Sequence, residues 1–233
     1  MIEMEIGFDL ISDFNFTEDD KFNWENKATS LYCIVAGNIS TDMKVVISVL
    51  THLSKFYQGV FYTPGSIEFE GIEDYDKRIQ EISLYCRRIK NVALLHHQVV
   101  IIDGVAILGC PGWYGGEQDP DFELNHNLGK YEDLVYLKNS IEKLQKHLDV
   151  KRIVLVTNAA PNKDLYFKEH PQVYEQLPDL SMILSVDSES KIHHWLYGSY
   201  GKVVDTKIFG INYICNPYNP QEPYWAKRIT IEF

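Results

Sequence analysis

The sequence predicts an α/β fold in which buried strands deliver polar residues to one edge of a sheet. Five apolar, β-like runs each stop at a glycine, a proline or a small polar residue, and segments with helical spacing separate several of them. Open α/β folds place their sites where the carboxyl ends of strands meet, so we expect the five stops to form a shared functional face. The stops are Ser12-Asp13, Gly37-Asn38, Gly65-Ser66, Asn158 and Gly198 to Gly201.

The first half of the chain predicts strands that alternate with helices. The first apolar run predicts a strand, and residues 17–26, which lack a clear period, predict a loop that Phe22 and Trp24 anchor. A second helix is predicted over residues 74–90. The first helix is predicted from an N-cap pair, Thr41-Asp42, followed by the apolar residues Val45, Val46, Val49, Leu50 and Leu53 at helical spacing.

The second half of the chain predicts a hairpin, a long loop and a long helix. Asp103-Gly104 lies between two apolar runs, which is a strong hairpin signal. Residues 110–128, rich in Gly, Pro, Trp, Tyr and Asp, predict a lid-like loop. The remaining predictions are a helix over residues 131–148, a buried strand over 152–157, a short helix over 179–186, a hairpin within 202–217 and a final strand over 228–233.

Composition indicates a folded, acidic protein. With 233 residues, 45% of them hydrophobic, the chain is expected to form one domain over residues 1–233. A formal net charge of −11 without a Lys/Arg cluster argues against a broad nucleic-acid or membrane surface. Widely spaced cysteines without a CxxC pair indicate buried free thiols and a cytoplasmic location. The cysteines are Cys33, Cys86, Cys110 and Cys215.

The five stops, in this order and spacing, resemble the signature blocks of the calcineurin-like metallophosphoesterases, in particular the small stand-alone type. The resemblance covers nearly the whole chain, including CNPYNP near the end, which looks like the Asn-Pro turn of that group. It implies a β-sandwich of two mixed sheets flanked by helices. It also implies a two-metal site built from D-x-H, G-D, G-N-H, His-before-Pro and G-H-x-H blocks.

Nearly all of the family's ligand positions are replaced in this sequence. The first aspartate matches Asp13, which is the one expected ligand that is retained. Ile67 stands where the family has the histidine that protonates the leaving group. The replaced ligand positions are Asn15, Asn38 at the bridging carboxylate, Ser66, Asn158, and Ser199 and Gly201 in the last block.

The replacements argue against a metal pair. Two nearby divalent ions repel each other, and a two-metal site needs a bridging carboxylate and several imidazole or carboxylate ligands to offset that repulsion. Asn and Ser oxygens suit a hard ion such as Mg²⁺, but they are poor partners for Mn²⁺ or Zn²⁺. We therefore expect no cofactor, with one divalent cation such as Mg²⁺ or Mn²⁺ as the alternative.

Ordinary structural roles compete with each of these functional interpretations. For Asp13, a role in capping the loop at the end of its strand is favoured over a role as a metal ligand. His193 and His194 are adjacent on a strand, so at most one of them can face the site, and a structural role is favoured. His126 in the lid-like loop is the remaining candidate for an acid or ligand. An aromatic contact surface is also possible, formed by Trp113, Tyr114, Phe122 and Tyr200.

Three functions follow from this sequence. The first is a catalytically silent metallophosphoesterase-like protein that binds a protein partner or a second copy of itself. The second is a weak or single-metal phosphoesterase that uses Asp13 with neighbouring asparagines. The third is a pocket that holds a nucleotide or phosphate through backbone N–H groups without cleaving it.

Overall fold

In the computed structural model, two mixed β-sheets pack face to face and form the centre of the molecule. The first sheet has the strand order β11-β1-β2-β3-β4, with β11 antiparallel to β1 and the other neighbours parallel. Its strands are β1 (Glu5–Ile11), β2 (Tyr32–Ala36), β3 (Gly59–Thr63), β4 (Val92–Leu94) and β11 (Lys227–Glu232). The structure describes residues 5–112, 120–161, 165, 180–199, 201–219 and 226–233, without the side chains of residues 120–131 and 180–182.

The second sheet has the order β5-β6-β7-β8-β10-β9, with parallel neighbours at its centre and an antiparallel strand at each end. The three described α-helices flank the two sheets. The strands are β5 (Gln98–Ile102), β6 (Val105–Cys110), β7 (Arg152–Thr157), β8 (Ile192–Tyr197), β9 (Val204–Ile208) and β10 (Ile211–Cys215). The helices are α1 (Met43–Leu53), α2 (Tyr75–Cys86) and α3 (Pro120–Gln145).

Three apolar layers hold this arrangement together. Side chains from both sheets form the central layer, while α1 and α2 cover the first sheet and α3 covers the second. Burial of apolar side chains is the main favourable contribution to folding, so the two sheets and their helices stabilise one another. The central layer includes Phe8, Leu10, Ile34 and Phe61 from the first sheet and Ile107, Val154, Leu196 and Ile214 from the second.

The predicted α/β fold with two mixed sheets is confirmed, as are most of its elements. Asp42 caps α1, its side chain accepting a hydrogen bond from the Lys44 N–H at 2.7 Å. Asp103 and Gly104 form the predicted hairpin turn with φ of 46° and 84°. Trp24 is buried as expected of an anchor, and its Nε1 donates to the Tyr57 hydroxyl at 2.7 Å. All four cysteines are buried and free.

Three predicted boundaries are wrong, one of them the end of α2, which was expected at residue 90 and lies at Cys86. The lid-like loop was expected to reach residue 128, yet α3 already begins at Pro120. Proline is favoured at the first helical position because its φ is fixed and its missing N–H has no partner there anyway. The helix expected over residues 131–148 ends at Gln145. The short helix near residue 180 is a 3₁₀ segment, Leu180–Val186. In the described part of the chain, no helix is long and apolar enough to cross a membrane.

His193 and His194 take the structural role that was favoured for them. His194 is buried on β8, and its Nε2 accepts a hydrogen bond from the Asn212 amide at 3.3 Å. Burial, with a smaller contribution from His193, lowers the pKa of His194 to about 4. The unfolded chain therefore binds more protons than the folded chain between about pH 6.5 and about pH 4. The free energy of unfolding falls as the pH falls through that window.

We predict that His194→Gln reduces this loss of stability on acidification by about 2 kcal/mol. His96, whose pKa burial also lowers to about 4, acts in the same direction and keeps part of the pH dependence. The measurement is urea denaturation at neutral pH and at about pH 5. The control is His147→Gln, at an exposed position. Between the two pH values, its free energy of unfolding should change as much as that of the unmodified protein. If the free energy of unfolding of His194→Gln falls on acidification as much as that of the unmodified protein, His194 is not a source of the pH dependence.

Candidate functional site

The five predicted strand ends meet at one place, between the carboxyl edges of the two sheets. Strands β1, β2 and β3 bring residues from the first sheet, and β7 and β8 bring residues from the second. The segments approach each other closely: a Cβ atom at Gly65 would collide with Asn38 Oδ1, and one at Gly198 would collide with the Ala36 carbonyl. Only glycine fits at these two positions because it has no Cβ.

Asp13 lies at the floor of this site and is 5% exposed. Its Oδ1 accepts hydrogen bonds from the Asn38 amide at 3.0 Å and from the Ser199 N–H at 2.8 Å. Its Oδ2 accepts from the Ser12 hydroxyl at 2.9 Å. The carboxylate thus joins the ends of β1, β2 and β8, and it caps the chain that follows β8, as its alternative structural role predicted.

Asn38 and Asn158 are also buried and complete the floor. Asn38 Oδ1 accepts from the Ile67 N–H at 3.1 Å, and Asn158 Oδ1 accepts from the Ser66 N–H at 3.2 Å. The Asn158 amide donates to the Ala36 carbonyl at 2.9 Å. Both asparagines therefore use the donor and the acceptor of their amides within the protein.

Four residues of the site adopt left-handed backbone conformations. Asp and Asn tolerate this conformation better than most non-glycine residues, which suits three of the four positions. The residues are Asp13, Asn15, Asn38 and Ser199, with φ of 56°, 49°, 58° and 57°.

Glu68 belongs to the site and was not singled out from the sequence. It is fully buried, and its carboxylate accepts from the N–H groups of Ile39 at 2.6 Å, Gly65 at 2.7 Å and Asn38 at 3.1 Å. Burial raises the pKa of Glu68, and the backbone N–H groups act in the opposite direction. The available signal was an acidic residue two positions after a Gly-Ser turn, between the apolar residues Ile67 and Phe69.

The other predicted residues lie at the rim or outside the described part of the chain. Asn15, Ser66 and Gly201 are exposed, while Ile67 and Ser199 are half-buried. Trp113, Tyr114 and Tyr200 lie outside the described residues, as do the side chains of Phe122 and His126 on α3. The predicted aromatic contact surface therefore stays a prediction.

The donor set at these positions does not fit a pair of divalent ions. Such a pair needs several carboxylate or imidazole ligands, and the matched positions provide one carboxylate, that of Asp13. The position of the bridging carboxylate is held by Asn38, whose amide N–H donates to Asp13. Glu68 directs its carboxylate to backbone N–H groups. Within the described residues, no three His, Cys, Asp or Glu side chains form a candidate metal cluster.

Comparison with known proteins identifies the fold. No protein-family model and no curated protein matches the chain. Solved structures do match, among them the phosphopantetheinyl hydrolase PptH from Mycobacterium tuberculosis, with a TM-score of 0.70 and 13% identity over 97% of this chain and 96% of that one. The fold is metallophosphoesterase-like.

Two further structures share the fold with lower scores. A putative 5'-nucleotidase from Staphylococcus aureus, in complex with alpha-ketoglutarate, matches with a TM-score of 0.55 and 13% identity over 97% of this chain and 51% of that chain. GAP50, the anchor in the inner membrane complex of Plasmodium, matches with a TM-score of 0.56 and 9% identity over 91% and 71%. At these identities the likeness establishes the fold alone.

We predict that Asn38→Asp destabilises the protein by about 3 kcal/mol at neutral pH. The new carboxylate would lie within hydrogen-bond distance of Asp13 Oδ1 and would replace a donor with a like charge. Thermal unfolding measures the loss, which should shrink at acidic pH because one of the two carboxylates then takes up a proton. The exposed Asn15→Asp is the control and should lose much less. Equal stability of both variants would contradict this account of the Asp13–Asn38 pair.

Proposed function

We propose that this chain is a metallophosphoesterase-fold protein that does not hydrolyse phosphoesters and acts by binding a protein partner or a second copy of itself. The observation that carries the proposal is the hydrogen bond between the Asn38 amide and Asp13 Oδ1 at 3.0 Å. This hydrogen bond joins Asp13 to Asn38, which match the first aspartate and the bridging carboxylate of the family that the sequence resembles. A carboxylate that is satisfied by an amide and a backbone N–H has no need of a cation.

The missing acid supports the same conclusion. Ile67 occupies the position of the family's proton donor, and an aliphatic side chain cannot transfer a proton. Hydrolysis of a phosphoester needs charge stabilisation at the phosphoryl group and, for most leaving groups, a proton. The matched positions supply neither a cation pair nor that proton.

The alternative of a phosphate-binding pocket has less support. Anion sites of this kind rely on free backbone N–H groups at tight turns. At this site the Ser199 N–H donates to Asp13 and the Ser66 N–H donates to Asn158. The N–H groups of Gly65 and Ile39 donate to Glu68. Side chains of the protein therefore already occupy the donors that a phosphate would use.

Likeness to other proteins is compatible with either use of the fold. PptH is described as a hydrolase, whereas GAP50 is described as an anchor, which is a binding role. A similar fold thus occurs under both descriptions, and the residues of the site decide between them. Here they favour binding.

We predict that added Mn²⁺ or Zn²⁺ produces no saturable rise in melting temperature and no phosphodiesterase or phosphomonoesterase turnover. Ile67→His should also be inactive, since a proton donor alone has no cations to work with. The assays use protein purified without chelator, a generic aryl phosphodiester and an aryl phosphomonoester.

Asp13→Asn is the matched control, because it keeps the shape of the side chain and removes its charge. A saturable Mn²⁺-dependent shift or turnover that Asp13→Asn abolishes would replace this proposal with the single-metal phosphoesterase.

A further inference from the structure

Four strands form the edges of the two sheets in the described part of the chain, and three of them are protected. Exposed edges tend to pair with other chains unless they are short or carry charged residues. Strand β4 has three residues, β11 contains Lys227, Arg228 and Glu232, and β9 contains Asp205 and Lys207. The fourth edge, β5, has five residues, Gln-Val-Val-Ile-Ile, and none of them is charged.

The side chains of β5 are divided between the core and the surface. Val100 and Ile102 pack against the layer between the two sheets. Val99 and Ile101 point the other way and are 38% and 44% exposed. With Tyr136 and Leu144 of α3 they line a groove of about 530 Å³. A long, uncharged, β-branched edge of this kind is an aggregation hazard if nothing covers it.

The hairpin geometry shows which backbone groups of β5 are directed outward. Ile102 and Val105 flank the two-residue turn, so in an antiparallel ladder they form a hydrogen-bonded pair, and Val100 and Ile107 form the next one. The N–H and C=O groups of Val99 and Ile101 therefore point away from β6. Gln98 forms the next hydrogen-bonded pair with Gly109, and its carbonyl also accepts a hydrogen bond from the Tyr136 hydroxyl at 2.6 Å. The outward backbone groups of β5 are therefore those of Val99 and Ile101.

We propose that β5 pairs antiparallel with β5 of a second copy of this chain, around a two-fold axis at Val100. In that register Val99 of the first copy lies opposite Ile101 of the second, and Ile101 of the first lies opposite Val99 of the second. Both residues direct their N–H and C=O outward, so the two pairs form four hydrogen bonds and continue the six-stranded sheet into a twelve-stranded one.

The uncharged, apolar side chains of β5 suit a second copy as the occupant, because two identical edges can then face each other without charge repulsion. Two chains that each carry −11 repel each other over most of their surfaces, and the uncharged β5 edge reduces that repulsion at the point of contact. Apolar cross-strand pairs of Val99 and Ile101 add to the stability.

The inference uses no residue of the candidate site and holds whether or not that site is catalytically silent.

Ile101→Pro tests the strand pairing, because this proline removes an outward N–H and leaves the β5–β6 ladder intact. Lys207→Pro is the matched control: β9 ends in the same kind of two-residue turn, and Lys207 occupies the corresponding outward position on the opposite edge. Val99→Lys tests the same contact in a second way, because it places a positive charge on each copy at the proposed interface and keeps the backbone N–H.

Sedimentation velocity should give twice the chain mass of 27.0 kDa for the unmodified protein and for Lys207→Pro. Ile101→Pro and Val99→Lys should weaken self-association at least about tenfold while the far-UV circular dichroism is unchanged. Hydrogen exchange of residues 98–102 should slow as the protein concentration rises. The strand pairing is wrong if the unmodified protein is monomeric, or if both β5 variants stay dimeric. It is also wrong if Ile67→Asp dissociates the dimer and Ile101→Pro does not, because the contact then lies at the candidate site.

Discussion

The buried carboxylate of Asp13 is the group on which the rest of the site depends. A charged group at 5% exposure must be compensated, and in a two-metal centre the cations would do so. Here the Asn38 amide and the Ser199 N–H take that role, and they join the first sheet to the second. Without cations, a second carboxylate at position 38 or charged imidazoles nearby would be left buried and uncompensated. The single carboxylate and its amide and N–H partners therefore form a network that is compensated by protein groups.

Glu68 shows that protein groups order the turns around Asp13. Its three hydrogen bonds to backbone N–H groups fix the turns after β2 and β3, which carry Asn38 and Ser66. The turns therefore keep their shape without any contribution from a metal.

The sequence predicted the strand ends well because glycine and small polar residues at the end of apolar runs have a direct physical meaning. Gly65 and Gly198 are required by close backbone approach, and Asp42 is a helix cap that sequence patterns identify. The start of α3 was missed because residues 120–128 contain one Asp and two Asn, which locally favour loops, although Pro120 suits a helix start. The role of Glu68 could not be predicted, because two of its three partners, the N–H groups of Asn38 and Ile39, lie in the turn after β2 and reach Glu68 only through the pairing of β2 with β3.

Strand order is the property that decides what β5 does, and it is invisible in the sequence. The segment Gln98–Ile102 reads like any buried strand, and only the sheet topology places it at an edge. Its composition then becomes informative: β-branched residues without charge are suited to the interior of a sheet, and the three other edges are short or charged. A strand with interior composition at an edge position indicates that another strand completes the sheet. The self-complementary pattern of outward N–H and C=O groups at Val99 and Ile101 makes β5 of a second copy the partner that fits.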